Sequence, residues 1–119
     1  MATRLLEYKT RLTDSADVLA TLPWIPTGWH ENSAQVKAVP GLVGGIIMHE
    51  EDDGGDQVLK IWDSDSPVTT DDVEVARITG GGTAGNITAV MFPLPGIEVQ
   101  KGIYVEINAG DLEWELYYR

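Results

Sequence analysis

Hydrophobic and polar positions alternate in two segments near the end of the sequence, residues 103–107 and residues 112–118. A period of two residues is typical of a β-strand that buries one face and exposes the other. A short segment rich in Asn, Gly and Asp, residues 108–111, separates the two runs. The pattern predicts a β-hairpin with one buried face. Its apolar positions are Ile103, Val105, Ile107, Leu112, Trp114, Leu116 and Tyr118.

Similar short runs recur from residue 33 onward, and turn-forming residues separate them. None of them has the 3.6-residue period of a long amphipathic helix. Within one run, Gly44 and Gly45 indicate a β-bulge or a close approach of another group to the backbone. Seven or eight short strands predict an all-β domain, a β-sandwich of jelly-roll-like architecture. The runs before the predicted hairpin cover residues 34–39, 42–50, 57–63, 72–79 and 87–94.

The first part of the chain follows neither period. A short helix over residues 15–21 is the only regular element that we expect there. Two prolines bracket a Trp-Ile pair at residues 23–26 and favour extended or turn geometry. We therefore expect an extended N-terminal arm, residues 1–32, followed by a β-sandwich domain, residues 33–119.

The arm carries large apolar side chains that need a surface on which to pack. Trp24 and Trp29 have too much apolar area for an isolated tail, so we expect them to bury on the β-core or on a neighbouring subunit. The residues predicted to contact a partner are Leu5, Leu6, Tyr8, Trp24, Ile25 and Trp29.

Composition narrows the classes of partner. The 119 residues suit one domain, and 19 acidic against 8 basic residues give a formal charge of −11. This charge disfavours nucleic acids and anionic membranes, which recruit basic surfaces.

The absence of cysteine excludes disulfides and thiolate metal sites. We find neither a signal-like segment nor an apolar run near the ~20 residues of a membrane span, and we expect synthesis in the cytoplasm.

Residues 50–56 form an acidic segment that contains glycine, and two interpretations of it stay open. Several carboxylates and a Gly suit a calcium site, since hard cations prefer oxygen ligands. The ordered spacing of an EF-hand loop is missing, however. A solvated turn, in which Asp and Gly serve the turn geometry, is the favoured interpretation.

The remaining motifs supply no evident catalytic or cofactor chemistry. The glycine-rich residues 80–85 lack the Lys of a P-loop, so they predict a flexible connection. His30 and His49 lack an evident third metal ligand, and we expect His49, at a strand end, to make a structural hydrogen bond. No Gly-x-Ser-x-Gly segment is present. We therefore expect no catalytic residue, no metal site and no cofactor.

Aromatic residues occupy both faces of the predicted strands. Trp62 and Trp114 share faces with aliphatic residues, and we expect both in the core. Tyr104 and Tyr117 fall on the opposite, exposed faces, where aromatic side chains stabilise protein interfaces. A carbohydrate-stacking platform is the alternative interpretation of this aromatic set.

Several strand and turn segments carry a family resemblance. Together they resemble small β-sandwich structural proteins of tailed bacteriophages over residues 33–119, about three quarters of the chain. The Lys-Gly-Ile-Tyr-Val-Glu-Ile stretch and the aromatic-basic end are the most specific pieces. The segments are Ser33-Ala34-Gln35-Val36-Lys37-Ala38 with Pro40-Gly41, Leu59-Lys60-Ile61-Trp62-Asp63, Pro95-Gly96-Ile97, Lys101-Gly102-Ile103-Tyr104-Val105 and Tyr117-Tyr118-Arg119.

The resemblance implies a non-enzymatic virion protein, most directly a capsid decoration (cement) protein on the capsid surface, made in the host cytoplasm. Its implied partners are the major capsid protein and copies of itself, for which a trimer is one arrangement. A tail, neck or fibre-base component is the alternative within this class. A carbohydrate- or calcium-binding β-module is the alternative from another class.

Overall fold

The computed structural model describes residues 23–53, 57–108 and 112–119. These residues form nine β-strands and no helix, which confirms the all-β prediction. Two of the strands, β1 and β7, are only two and three residues long, and they bring the number above the seven or eight expected. The strands are β1 (Ile25–Pro26), β2 (Ala34–Lys37), β3 (Gly41–Glu50), β4 (Val58–Asp63), β5 (Val73–Thr79), β6 (Ile87–Met91), β7 (Ile97–Val99), β8 (Ile103–Ile107) and β9 (Leu112–Tyr118).

The strands form two antiparallel sheets. In sheet A, β9 lies between β1 and β3, and β3 pairs on its other side with β6 and with β7. In sheet B the order is β2-β8-β4-β5. β3 is the longest described strand, and its ten residues are long enough to pair with β7 at one end and with β6 at the other.

The inner faces of the two sheets form one hydrophobic core, which confirms the β-sandwich. Burial alternates along β4, β8 and β9, as the period of two predicts. Sheet A contributes Trp114, the largest fully buried side chain of the described residues, and sheet B contributes aliphatic residues opposite it. The core residues are Val43, Ile46, Met48, Leu59, Ile61, Ile78, Val99, Ile103, Val105, Leu112, Trp114 and Leu116.

The predicted C-terminal hairpin is wrong. β8 pairs with β2 and β4 in sheet B, whereas β9 pairs with β1 and β3 in sheet A. The two strands, although consecutive along the chain, therefore belong to different sheets. Strands that face each other across a sandwich have the same alternation as strands of one hairpin, because both patterns report only a buried face.

The expected irregularity at Gly44 and Gly45 is confirmed. The register between β3 and β9 shifts between Val43 and Gly45. The ring of Trp24 lies against Gly44, where a Cβ atom would lie 2.7 Å from the nearest ring atom. The absence of a side chain at Gly44 is therefore what lets the tryptophan approach sheet A.

The described end of the predicted arm lies along the edge of sheet A. Ile25 pairs with Tyr118, the Thr27 amide donates to the Leu116 carbonyl at 2.9 Å, and His30 forms an isolated bridge with Trp114. Residues 1–22, including the helix predicted over residues 15–21, lie outside the described residues. In the part of the chain that the structure describes, no helix has the length and apolarity needed to cross a membrane.

Candidate functional site

The outer face of sheet A carries an apolar groove of about 270 Å³. We call it the outer groove. It opens to solvent, and almost all of its lining is apolar. The residues that line it are Trp24, Gly44, Ile46, Ile47, Ala89, Met91 and Tyr117.

Strand register explains how these distant residues meet. Gly45 of β3 lies directly between Met91 of β6 and Tyr117 of β9. A Cβ atom at Gly45 would lie 2.9 Å from the Met91 sulfur, so the absence of a side chain at Gly45 leaves room for the Met91 side chain. Ile47, two residues further along β3, lies opposite Ala89 and extends the apolar floor. Three neighbouring strands, β3, β6 and β9, therefore supply most of the lining of the groove, and Trp24 supplies the rest.

Trp24 forms a wall of the groove and is held by two contacts. One is the approach to Gly44 described above. The other is a cation–π contact, in which the Arg119 guanidinium carbon lies 3.7 Å from the centroid of the Trp24 ring. Among the described residues that were predicted to contact a partner, Trp24 thus lies at the groove, and it is half-buried.

The other predicted interface residues occupy different places. Ile25 is exposed on β1, and Trp29 keeps 50% of its surface accessible. Leu5, Leu6 and Tyr8 lie outside the described residues.

Further exposed apolar side chains lie on and beside β6, an edge strand of sheet A. Met91 is 75% exposed and Leu94 81% exposed, and Ile87 lies exposed at the other end of β6. An antiparallel sheet that faces water on one side usually carries polar residues there. Apolar surface that is contiguous and exposed is instead typical of protein interaction sites. This exposed surface was not predicted from the sequence, because residues 87–94 were identified only as another apolar run.

The two tryptophans expected in the core have different outcomes. Trp114 is fully buried, and its Nε1 donates to the Asn32 carbonyl at 3.0 Å. Its ring stacks on the His30 ring, with the two ring centroids 4.7 Å apart. Trp62 lies on the outer face of sheet B opposite Tyr104, where its Nε1 donates to Glu106 at 3.3 Å, so its core prediction is wrong. The alternation of β4 turns Leu59 and Ile61 inward, and Trp62 therefore points outward.

Glu50 is a buried carboxylate at the end of β3, although the sequence placed it in a solvated turn. Its oxygens accept hydrogen bonds from the amides of Gly81 (2.9 Å) and Thr83 (3.0 Å) and from the Asn86 side chain (3.3 Å). Burial by itself raises the pKa of Glu50, but these hydrogen bonds outweigh it and lower the pKa below its ordinary value. The glycine-rich residues 80–85, predicted to be a flexible connection, are therefore tied to β3.

A cluster of potential metal ligands lies at the end of β3 on the outer face of sheet A. His49 Nδ1 lies 2.9 Å from Glu113 Oε1, which confirms the structural hydrogen bond expected for His49. Glu51 brings a further carboxylate oxygen within 4.8 Å of both groups. This cluster was not predicted from the sequence, because Glu113 is more than sixty residues from His49 along the chain. Only the pairing of β3 with β9 brings the two side chains together.

Two features of the outer face of sheet A thus suit binding: the apolar groove with Trp24 at its wall, and the His–carboxylate cluster. The first has the apolar character of a protein contact surface, and the second has the donor atoms of a metal site. No protein-family model, no curated protein and no solved structure matches this chain.

Proposed function

We propose that this chain is a non-enzymatic structural protein that binds other proteins of an assembly through the outer groove and the N-terminal arm. One observation carries the proposal. The outer face of sheet A exposes apolar side chains around the groove, and Trp24 already lies at its wall. Covering this surface with another protein would remove apolar area from water, which is the main favourable contribution to association.

The assembly that we propose is a bacteriophage virion, in which the chain serves as a capsid decoration (cement) protein. The resemblance of its strand and turn segments to virion β-sandwich proteins supports this choice. The partners would be the major capsid protein and copies of the chain itself, with a trimer as one arrangement. A tail, neck or fibre-base component is the alternative location.

Attachment to a repeated lattice suits a surface of this modest size. Many weak contacts that engage together give an avidity well above the affinity of each one. The charge of −11 adds a requirement on the partner. A basic rim around the apolar contact would be attracted to this chain, whereas an acidic rim would repel it.

A pair of matched substitutions tests the role of the groove. Met91→Asp places a charge on the apolar groove, and Val73→Asp places the same charge on exposed β5 of sheet B, where Val73 is 65% exposed. We expect Met91→Asp to lower binding to capsid shells by at least about tenfold, because a buried unpaired charge is costly. Co-sedimentation with shells measures the occupancy, and urea unfolding checks that both variants stay folded.

The control decides the interpretation of this experiment. Val73→Asp should bind shells like the wild type. Wild-type occupancy by folded Met91→Asp, or equal losses in both variants, would contradict the role assigned to the groove.

Truncation of residues 1–22 tests the arm separately, since it removes Leu5, Leu6 and Tyr8 and keeps β1 and Trp24 in place. A truncated chain that decorates shells at full occupancy would exclude a role for that segment.

Gly44→Ala tests the contribution of Trp24 to the groove. The added methyl group would lie 2.7–2.8 Å from three atoms of the Trp24 ring, which is too close, so we expect the ring to swing away into water. Acrylamide quenching of tryptophan fluorescence should increase, and shell binding should weaken. Adding Trp24→Phe to the Gly44→Ala variant removes the tryptophan whose exposure is being measured. The increase in quenching should then disappear.

A further inference from the structure

The His–carboxylate cluster at the end of β3 is a candidate site that the proposed function does not use. His49 lies near the end of β3, Glu51 directly follows that strand, and Glu113 of β9 is the register partner of His49. We propose that His49, Glu51 and Glu113 bind a divalent transition-metal ion of the zinc type. The three residues supply one imidazole nitrogen and two carboxylate oxygens.

The distances within the cluster suit a shared ion. Two donor atoms that each lie about 2.0–2.1 Å from one zinc ion are about 3.3 Å apart in tetrahedral geometry. His49 Nδ1 and Glu113 Oε1 are 2.9 Å apart, close to this separation. The ligand atoms of all three residues lie within 4.8 Å of one another. Glu51 is exposed, so we expect its side chain to turn toward an ion held by the other two residues.

The backbone that carries the ligands is fixed by the core. On β3, Met48 and Glu50 flank His49 and are fully buried on the other side of sheet A. On β9, Leu112 and Trp114 flank Glu113 and are fully buried as well. Since burial of these neighbours fixes the register, His49 and Glu113 stay opposite each other before any ion arrives. Such preorganisation favours tight binding, because less freedom is lost when the ion binds.

Charge around the cluster also favours a cation. The carboxylate oxygens of Glu51 and Glu113 lie within 4.8 Å of each other, and the ring nitrogen of His49 lies within the same distance of both. Two carboxylates that repel each other thus lie beside a single imidazole. A divalent cation would replace this repulsion with attraction.

The donor set decides which class of ion is expected. Calcium and magnesium prefer sites made of oxygen atoms, so an imidazole ligand argues against them. Mixed nitrogen and oxygen ligands are typical of zinc and neighbouring transition metals. Three protein ligands leave a position for water or for a group from a bound partner.

The site can be tested with the full-length chain, prepared without a polyhistidine tag and stripped with EDTA. Zinc chloride is the probe in isothermal titration calorimetry and in thermal unfolding. We expect one zinc ion per chain, a dissociation constant in the micromolar range, and an unfolding midpoint several degrees higher with excess zinc, because the ion binds only the folded chain. Calcium at the same concentration should leave the midpoint unchanged.

Substitutions locate the ion. Glu51→Gln and His49→Ala should each weaken zinc binding by at least about tenfold, as the loss of a ligand does. Glu115→Gln is the matched control, since Glu115 lies on the same strand opposite Ile47. It should bind zinc like the wild type.

Two results would overturn the proposal: no zinc binding tighter than about 1 mM, or unchanged affinity in both ligand variants. Because Glu51 is exposed, Glu51→Gln keeps the test decisive if His49→Ala does not fold. The proposal is independent of the role of the outer groove, since zinc binding needs no partner. Failure of either one leaves the other standing.

Discussion

At the residue scale, Trp114 connects the core of the sandwich to the segment that leads into it. Its ring is fully buried, its Nε1 donates to the Asn32 carbonyl, and its face stacks on His30. The backbone of Trp114 also exchanges hydrogen bonds with that of His30, at 2.8 and 2.9 Å. Through its side chain and its backbone together, Trp114 thus attaches residues 30–32 to sheet A.

The first prediction concerns truncation of this side chain. Trp114→Ala should lower the free energy of unfolding by about 3–5 kcal/mol, since it leaves a large cavity. Trp114→Phe keeps most of the volume but leaves the Asn32 carbonyl without its donor, and we expect a loss of about 1–3 kcal/mol. Urea denaturation measures both losses. Trp29→Ala, at a half-exposed position, is the control and should cost less than about 1 kcal/mol; a loss equal to that of Trp114→Ala would contradict this assignment.

At the element scale, β3 organises sheet A and also holds a loop of the sandwich. It pairs with β6, β7 and β9, and its last residue, Glu50, accepts the amides of the 80–85 segment. Substitution of Glu50 is therefore expected to act on the loop as well as on the strand end. A Cβ atom at Gly80 would collide with the Glu50 carboxylate, so this glycine is required for the contact.

The second prediction follows from the lowered pKa of Glu50. Since the folded-state pKa lies below the ordinary value of 4.5, Glu50 stabilises the fold above about pH 4.5. This contribution is lost as the pH falls through the lower folded-state pKa. Glu50→Gln should lower stability at pH 7, because the amide group has one acceptor oxygen where the carboxylate has two. It should also weaken the dependence of stability on pH below 4.5.

Urea denaturation midpoints between pH 3 and pH 7 measure this effect. Asp72 adds to the acid sensitivity, because the hydrogen bond from Lys101 (2.6 Å) lowers its pKa as well. Asp72→Asn should therefore leave the Glu50 contribution in place, and the double variant should have the weakest pH dependence. A Glu50→Gln variant with the wild-type pH profile would show that this carboxylate does not stabilise the loop.

The sequence pattern predicted where the strands lie but not which strands pair with each other. Alternation located the strands well: the predicted run 42–50 became β3, and the run 57–63 became β4. It did not identify their partners, as the wrong hairpin shows. A period of two reports which side of a strand is buried, but a sandwich has two sheets that bury the same kind of face.

At the scale of the whole molecule, a strongly acidic protein presents an apolar groove on one face. The charge of −11 makes copies of the chain repel one another. The groove and the side chains around it would draw them together, because their burial removes apolar area from water. The balance between these two effects depends on ionic strength, since salt screens the charge and leaves the apolar attraction.

The third prediction tests this balance. Raising sodium chloride from about 0.05 M to about 0.5 M at pH 7 should increase self-association, as the Debye length shortens from well above 10 Å to below it. Sedimentation velocity measures the distribution of species. Met91→Asp should suppress the increase and Val73→Asp should not. Dissociation of the wild type with added salt would mean that charge pairs, and not the groove, hold the copies together.

Local patterns along the chain were sufficient to predict the fold class, most strand positions, the glycine irregularity in β3 and the burial of Trp114. Each of these depends on local periodicity or on backbone freedom, which a single segment carries. Tertiary structure alone decided that β8 and β9 belong to different sheets, that Glu50 is buried against residues 80–86, and that Trp62 faces outward. It also decided both candidate sites, since the groove and the His49–Glu113 pair are assembled across strands by register. Register depends on how two sheets pack together, and no local pattern along the chain encodes that arrangement.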